Sequence, residues 1–404
     1  MTSALDGITV IDFTQFESGT VCTQTLAWLG AKVIKIERPK TGEQGRRSFT
    51  DPPGIDAYTF ILVNSNKRSV TLDIKKPRGA ELLRQLIAGA DVLVENFAPG
   101  TLEQAGFGYE AVAAINSRIV YAQIKGFSPD SPYASHVAFD PVGQAMGGIL
   151  SLTGEPDRPP LRTGPNLADS GTGFHTALGI VAALYQRTVT GRGQLVRLAM
   201  QEVMINYIRT AFAQQIEAGM ATPRVGNNHT MARVAPCGIY PCKPFGPNDY
   251  VTLYASRWPG ATQWEQLCDV IAHPEMKTDP RLATPESRYT YRAEIDANIS
   301  AWTRERTKFE AMQELAAGGV PAGAILTTAE LAADPYLNES GMFITVDHPV
   351  RGPVHMPGFP IHMSDSAVPI EPAPLLGQHN REIYQGMLGL SSEEMESLSR
   401  SRVI

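Results

Sequence analysis

The segment Asn166–Gly173, which reads NLADSGTG, places one carboxylate directly before an apolar stretch, Phe174–Tyr185, that predicts a helix. Asp169 stands where an N-cap is expected, and aspartate is a favoured capping residue. A helix N-terminus also stabilises an anion, so the same carboxylate is suited to act as an ionised nucleophile. Ser170, Gly171 and Gly173 are small enough to let an acyl group approach it. The residues alone leave capping and catalysis open.

The elements that must position this carboxylate alternate between strand-like and helix-like segments over the first 200 residues. Short apolar runs predict strands at Ile8–Phe13, Lys32–Glu37, Asp91–Phe97, Ile119–Ile124 and Gln194–Ala199. Helices are predicted between them, at Thr20–Leu29 and Pro77–Ala88. The alternation predicts an α/β fold with a Rossmann-like parallel sheet covered on both faces. Ligands of such sheets bind at the carboxyl ends of strands, here residues 13–19, 37–39 and 96–100.

Changes in composition along the chain predict four parts. The large domain, with its Rossmann-like core, is expected at residues 1–200, followed by a linker helix at 201–225. A smaller α+β domain is expected at 226–324, with a strand at Tyr250–Tyr254 and a helix at Trp264–Ile271. Residues 325–404 are expected to form a linker and a C-terminal segment that returns to the large domain.

Bulk properties argue against several classes of protein. A net charge of −6 and a pI near 5.8 argue against nucleic-acid binding. The lack of a long apolar run or a leader-like N-terminus argues against a membrane protein and predicts a cytoplasmic one. The four cysteines form no pair of CxxC motifs, so no metal site is expected. The segment after the first strand, Thr14–Gly19, contains one glycine, Gly19. The G-x-G-x-x-G fingerprint of nicotinamide- and flavin-binding proteins is therefore absent.

Seven motifs together carry a family resemblance: Leu5–Phe13, Leu29–Arg38, Asn66–Asp73, Val94–Gly100, Leu167–Gly171, Thr190–Gln194 and Ala373–His379. Each is weak alone, but in number and order they resemble the class III CoA-transferases over nearly the whole chain. The resemblance implies that the core of residues 1–200 binds CoA. It also implies a homodimer of interlocked ring-shaped chains, acyl-CoA and carboxylic acid substrates, and no metal.

The resemblance further implies site residues. Asp169 would be the nucleophile, carrying first a mixed anhydride and then a CoA thioester, while Glu17, Phe139 and Asp140 would flank the reacting centre. Coenzyme A, as substrate and product thioester, would be bound by Gln15, Ser18, Arg38, Leu72, Ile74, Lys75, Asn96, Phe97, Ala98, Gln104 and Val137.

Three departures from the branch that it resembles most affect the acid substrate. The stretch before Tyr250 is short and lacks the mobile glycine-rich loop that closes over the small acid in that branch. Glu17 replaces a glutamine near the thioester, and Ser48 replaces a tryptophan over the small acid. A second carboxylate beside Asp169 could repel an anionic acceptor. A roomier site suggests a larger short-chain or dicarboxylic acid, paired with Arg46 or Arg47, although these arginines could equally be a solvated loop pair.

Two alternatives stay open. A sister branch racemises 2-methylacyl-CoA thioesters with a His-Asp base pair, but its histidine falls at Phe139, which cannot take a proton. His136 could replace that histidine only if the loop shifted, and His175 is expected to be a packing or surface residue. The other alternative is a non-catalytic CoA-binding protein, which would not need to keep Asp169.

Overall fold

The computed structural model describes residues 3–47, 52, 54–229, 234–255 and 262–404. The chain forms two compact units, the first from residues 1–148, 163–207 and 335–404, the second from residues 149–162 and 208–334. The domain boundaries expected from composition stay a prediction. In the part of the chain that is described, no helix is both long and apolar enough to cross a membrane.

The first unit contains a six-stranded parallel sheet in the order β3-β2-β1-β4-β5-β6. The strands are β1 Thr9–Phe13, β2 Lys32–Glu37, β3 Lys67–Thr71, β4 Val92–Glu95, β5 Val120–Lys125 and β6 Leu195–Ala199. In register, Val10 lies beside Val33 on one side and Val92 on the other. The predicted α/β fold with a parallel sheet is confirmed.

The remaining strands form a hairpin in the first unit and a three-stranded sheet in the second. They are β7 Cys237–Pro241, β8 Tyr250–Tyr254, β9 Ala322–Ala324, β10 Phe343–His348 and β11 Gly352–Pro357. The helices are α1 Ser18–Trp28, α2 Tyr58–Asn64, α3 Pro77–Ala88, α4 Thr101–Gln104, α5 Tyr109–Ile115, α6 Asp140–Met146, α7 Ile149–Leu152, α8 Leu167–Thr190, α9 Met200–Tyr207, α10 Phe212–Ala218, α11 Gln263–Val270, α12 Pro285–Thr290, α13 Arg292–Arg304, α14 Lys308–Ala317, α15 Thr328–Ala333, α16 Pro335–Glu339 and α17 Ser392–Arg400. Short 3-10 turns lie at Gln44–Arg46, Arg209–Ala211, Pro274–Lys277 and Pro280–Leu282, and a π-helical turn lies at Glu382–Met387.

Both faces of the six-stranded sheet are buried under other elements. Alternate residues of each strand point to opposite faces and so contribute to two different cores. One face packs on α3 and the C-terminal segment, with Ile11 and Tyr384 in the same core. The other face packs on α1 and α8, where Val10 joins Leu26 and Ile180. Apolar residues therefore dominate the central strands, as they usually do in parallel sheets, although Asp12 of β1 and Glu95 of β4 are buried among them.

The second unit has its own core between the β7-β8-β9 sheet and its helices. Trp264 and Leu267 of α11 and Ile295 and Ile299 of α13 are buried in it together with Val251 of β8. All three strands pair antiparallel.

The sequence prediction missed β3. Lys67, Arg68 and Ser69 make its first half polar, so it does not look like a buried strand. Lys67 is nevertheless fully buried, because its ammonium lies 3.1 Å from a carboxylate oxygen of Asp12. A partner from another strand thus permits a strand that local composition argues against.

Candidate active site

The strand order reverses between β1 and β4, and ligands of open parallel sheets bind at such a reversal. Asn96, just after β4, joins the two loops there. Its Oδ1 accepts a hydrogen bond from the backbone N–H of Gln15 at 2.9 Å, and its Nδ2 donates to the Gln15 carbonyl at 2.8 Å. The same Nδ2 lies 3.3 Å from Ser18 Oγ. These bonds fix the loop after β1 against the end of β4.

Phe16, in the loop after β1, has a left-handed backbone with φ of 60°. This conformation costs a residue with a side chain about 1–2 kcal/mol, and such strain is concentrated at functional sites. The Phe16 ring is 41% exposed and packs edge-on against the 57% exposed ring of Phe139, with centroids 6.1 Å apart. Two large apolar rings therefore face the same open space.

Asp169 occupies the third position of α8, which begins at Leu167 with Asn166 as its N-cap. The predicted N-cap position of Asp169, and a helix beginning only at residue 174, are therefore wrong. Asp140 is the reason for the earlier start, since its buried Oδ1 accepts the backbone N–H groups of Ala168 at 2.9 Å and Asp169 at 3.3 Å. Asp169 remains in the first turn, where the helix dipole favours an anion.

Glu17 places a second carboxylate beside Asp169. Its Oε2 accepts a hydrogen bond from Asn166 Nδ2 at 2.6 Å, and its Oε1 accepts one from Ser170 Oγ at 2.7 Å. The partners belong to the N-terminal turn of α8, which also carries Asp169. Both carboxylates therefore lie at the N-terminal end of α8, Asp169 as part of the helix and Glu17 through these hydrogen bonds.

The glycines after Asp169 serve helix packing rather than access for an acyl group, which corrects the expectation drawn from their size. A Cβ at Gly173 would lie 2.5 Å from the carbonyl oxygen of Ser18 in α1. A Cβ at Gly171 would lie 2.9 Å from the ring of Tyr207. Both positions are filled by neighbouring protein atoms, and they let α1 and α9 approach α8 closely.

Three cavities in the first unit lie along this edge of the sheet. The outer cavity, about 440 Å³, is lined by five cationic side chains and by apolar ones. The cations are Arg38, Lys40, Lys75, Lys76 and Arg402, and the two lining carboxylates are Glu37 and Asp73. Glu37 is already neutralised by a bidentate ion pair with Arg46, so the wall carries a clear positive excess. Such a wall suits a polyphosphate.

The middle cavity, about 220 Å³, shares Phe97 with the outer one and extends to Asp169. The inner cavity, about 310 Å³, shares Phe16, Phe139 and Asp169 with the middle one. Asp169 therefore stands at the boundary between two spaces. A ligand that fills the outer and middle cavities and a second ligand in the inner cavity would both reach its carboxylate.

Most of the residues expected to bind CoA line these spaces. Arg38, Leu72, Ile74, Lys75 and Phe97 line the outer cavity, and Gln15, Ser18, Asn96, Phe97, Ala98 and Val137 line the middle one. Gln104 ends α4 without lining either cavity, although Thr101 and Leu102 of that helix line the outer one.

The two arginines suggested for the acid substrate have different surroundings. Arg46 is buried, with Nε 2.6 Å from one oxygen of Glu37, Nη2 2.7 Å from the other and Nη1 2.9 Å from Asp56. Arg47 is exposed and lines a separate cavity beside Phe16. Ser48 lies outside the described residues. The placement of Arg46 does not favour a role in binding the acid.

Several lining residues have little or no signal in the sequence. Arg402 reaches the outer cavity from the last three residues of the chain, so no motif spacing could connect it with Arg38. Phe60 and Val63 of α2 line the inner cavity but look like ordinary core residues in the sequence. Lys76 has the clearest signal of these, because it directly follows Lys75.

Comparison with known proteins gives consistent matches. The model of CoA-transferase family III matches residues 5–380. A formyl-CoA:oxalate CoA-transferase of Rhodopseudomonas palustris strain BisA53 is 44% identical over 99% of this chain and 97% of its own length. One of Streptomyces avermitilis is 43% identical over the full length of both. A CAIB/BAIF family protein from Brucella suis has a similar structure, with a TM-score of 0.83 and 34% identity over 96% of this chain and 100% of its own.

Proposed function

We propose that this chain, which belongs to CoA-transferase family III and is thus a CoA-transferase, moves CoA from an acyl-CoA donor to a free carboxylic acid through covalent intermediates on Asp169. The family assignment made from the sequence motifs is confirmed by the family match. The observation that carries the proposal is the position of Asp169, which lines both the middle and the inner cavity.

The outer and middle cavities would hold CoA. The cationic wall of the outer cavity, with Arg38, Lys75 and Arg402, would bind the phosphates of the nucleotide half. The apolar lining of the same cavity, including Leu72, would contact the adenine. The pantetheine arm would pass Phe97, which lines both cavities, and bring the thioester to Asp169.

The reaction would then proceed by acyl transfers at Asp169. The Asp169 carboxylate attacks the thioester carbonyl, and the C–S bond breaks. CoA leaves as thiolate, and a mixed anhydride of Asp169 and the donor acid remains. The thiolate attacks the aspartyl carbonyl, which releases the donor acid and forms an aspartyl-CoA thioester. The acceptor carboxylate displaces the thiolate to form a second anhydride. The thiolate finally attacks the acceptor carbonyl, which releases Asp169 and the product acyl-CoA.

The surroundings of Asp169 fit this sequence of steps. Its carboxylate lies in the first turn of α8, where the helix dipole favours an anion. The free energy of the thioester is carried through each intermediate, so the steps need no ATP. Asp140 does not share the nucleophile's role, since it is buried and accepts the N–H groups of Ala168 and Asp169.

An acceptor acid with ¹⁸O in both carboxylate oxygens tests this mechanism. Anhydride formation and resolution leave one labelled oxygen on Asp169 for each turnover, which mass spectrometry of the peptide around residue 169 detects. Asp169→Asn should abolish both the labelling and the exchange of CoA between acids. Asp130→Asn, an exposed loop aspartate, is the control that should change neither. Exchange without label on Asp169 would refute the covalent mechanism.

The racemase alternative has a separate test. Phe139 occupies the position of the required base, and the exposed His136 packs against the rings of Phe127 and Tyr133 while lining the middle cavity. Incubation of a 2-methylacyl-CoA in D₂O should leave its α-proton unexchanged. Exchange that is lost in His136→Ala but kept in Asp169→Asn would favour racemisation over transfer.

A further inference from the structure

The inner cavity has an apolar wall around the carboxylate of Asp169. The rings of Phe16, Phe60 and Phe139 and the side chain of Val63 line it. Gly45 and Thr59 complete this part of the wall without adding a charge. Its volume of about 310 Å³ is roughly ten times the space that one water molecule takes up in the liquid. It therefore has room for an acid with a tail of several carbons.

Among the described residues that line the inner cavity, the charged and polar groups are anionic or neutral. Asp169 and Glu17 are its carboxylates, and Asn166 is its amide. Among the described residues that line the cavity, none is a lysine or an arginine. Glu17 is held in place by Asn166 and Ser170, so its negative charge cannot turn away from the cavity at low cost.

Arg46 lies behind this wall and does not serve as a hidden cation for the cavity. Its guanidinium stacks on the ring of Phe60, with Cζ 4.0 Å from the centroid, and is bound at both ends by Glu37 and Asp56. Phe60, which is only 1% exposed, thus separates the guanidinium from the cavity. A second carboxylate on the ligand would face Glu17, and in the unacylated enzyme Asp169 as well, while the described part of the lining offers it no lysine or arginine. Such an arrangement is unfavourable in a partly desolvated site.

We propose that the inner cavity selects a monocarboxylic acid with a neutral, apolar tail, branched or aryl, and discriminates against dicarboxylates, oxalate included. The proposal rests on the proposed function, since it takes Asp169 as the group that the acid carboxylate must reach. The reacting carboxylate of the acid points to Asp169. The rest of the acid, its tail, lies against Phe16, Phe60, Val63 and Phe139. Each buried methylene is expected to raise kcat/KM roughly fourfold.

Identity exchange tests this selectivity one acid at a time, because the donor and the acceptor are then the same acid. Each acyl-CoA is incubated with its own ¹³C-labelled acid, and the entry of label into the thioester is followed by mass spectrometry. The isosteric pair 4-methylpentanoate and succinate differs only in replacing an isopropyl group by a carboxylate. The former should exchange at least tenfold faster.

A charge introduced into the wall provides the second arm. Val63→Arg places a cation in the inner cavity and should shift the ratio of the isosteric pair toward succinate by at least tenfold. Leu62→Arg, on the same helix but outside the cavity lining, should leave the ratio unchanged. A ratio unmoved by Val63→Arg, in a variant that still exchanges, would overturn the assignment of this cavity to the acid.

The outcomes separate the two proposals. If exchange depends on Asp169 but succinate is preferred over 4-methylpentanoate, the apolar selectivity is refuted and the transferase function stands. If neither acid exchanges in the wild-type protein, the apolar selectivity is refuted, and Asp169-dependent exchange with other acids then decides the proposed function.

Discussion

Gly173→Ala probes the packing of α8 on α1, the contact that brings Glu17 and Asp169 together. The new methyl group would lie 2.5 Å from the Ser18 carbonyl oxygen and 3.0 Å from two side-chain carbons of Val21, where ordinary contact begins at 3.4 Å. The oxygen belongs to the helix backbone and cannot rotate away. Because the methyl group and this oxygen repel each other at 2.5 Å, helix α1 must move by roughly an ångström.

The expected loss of stability is modest, because two effects oppose each other. Overpacking typically costs about 1–3 kcal/mol, while replacing a helical glycine by alanine returns up to about 1 kcal/mol. The net decrease in the free energy of unfolding should be about 1–2 kcal/mol in Gly173→Ala. The effect on catalysis should be larger in proportion, since a displacement of about 1 Å at a reacting group can cost a factor of about 100 in rate.

Chemical denaturation and the rate of Asp169-dependent exchange measure the two effects. Gly179→Ala is the matched control on α8, because its methyl would meet only the Cγ1 of Val196, at 3.0 Å, and that side chain can adjust. This control should retain its exchange rate and change stability by less than about 1 kcal/mol. Wild-type stability and wild-type exchange in Gly173→Ala would refute the close packing of the two helices.

Three further predictions follow from contacts around the cavities. Asp140→Ala leaves the first N–H groups of α8 without their acceptor and should lower the free energy of unfolding by about 1–3 kcal/mol, with a fall in kcat; an unchanged kcat would argue against positioning by Asp140. Arg402→Gln should raise KM for acyl-CoA several-fold at low salt with little change in kcat, whereas Arg400→Gln, at the end of α17, should not. Burial acts to raise the pKa of Glu37, but the hydrogen bonds and charge of Arg46 hold it below its usual value. Its stabilising contribution is therefore lost on acidification below about pH 4.3, and Glu37→Gln should show a shallower loss of stability there in acid titrations followed by circular dichroism.

The sequence predicts the elements whose local signals agree with their environment. Strand β2 and helix α3 have the predicted bounds, Lys32–Glu37 and Pro77–Ala88, because an apolar run and an N-terminal proline mark them directly. Strand β3 could not be predicted in this way. Its first residue, Lys67, is buried by a partner 55 positions away in the sequence, Asp12.

The start of α8 shows the same limit at the site itself. Local chemistry favours Asp169 as the cap, but the N–H groups of the first turn are taken by Asp140, which no spacing rule connects to this helix. The family resemblance predicts Asp169 as the nucleophile independently of that contact. It does not identify the shape or charge of the inner cavity, since those depend on Phe60 and Val63 of α2, which have no chemical signal of their own.

One polar loop, residues 38–47, contributes to all three cavities, and its anchoring has to be electrostatic. Arg38 and Lys40 line the outer cavity, Gln44 the middle one and Gly45 the inner one. The loop reads RPKTGEQGRR and has almost no apolar side chain to bury. Hydrophobic packing, which holds the strands and helices, is thus not available to it.

Two buried ion pairs to β2 replace that packing. Lys35 lies 3.0 Å from Glu43, and Glu37 lies 2.6 Å from Arg46. Lys35 also donates to the carbonyl of Thr14 at 2.8 Å, which ties the loop that carries Phe16 to the same point. Buried pairs are seldom more stabilising than apolar residues of similar volume, whereas removing one partner costs about 3–5 kcal/mol. These ion pairs therefore serve mainly to position the loop. Apolar contacts are nondirectional, whereas the ion pairs fix the orientation of a loop that contacts both the proposed CoA space and the proposed acid space.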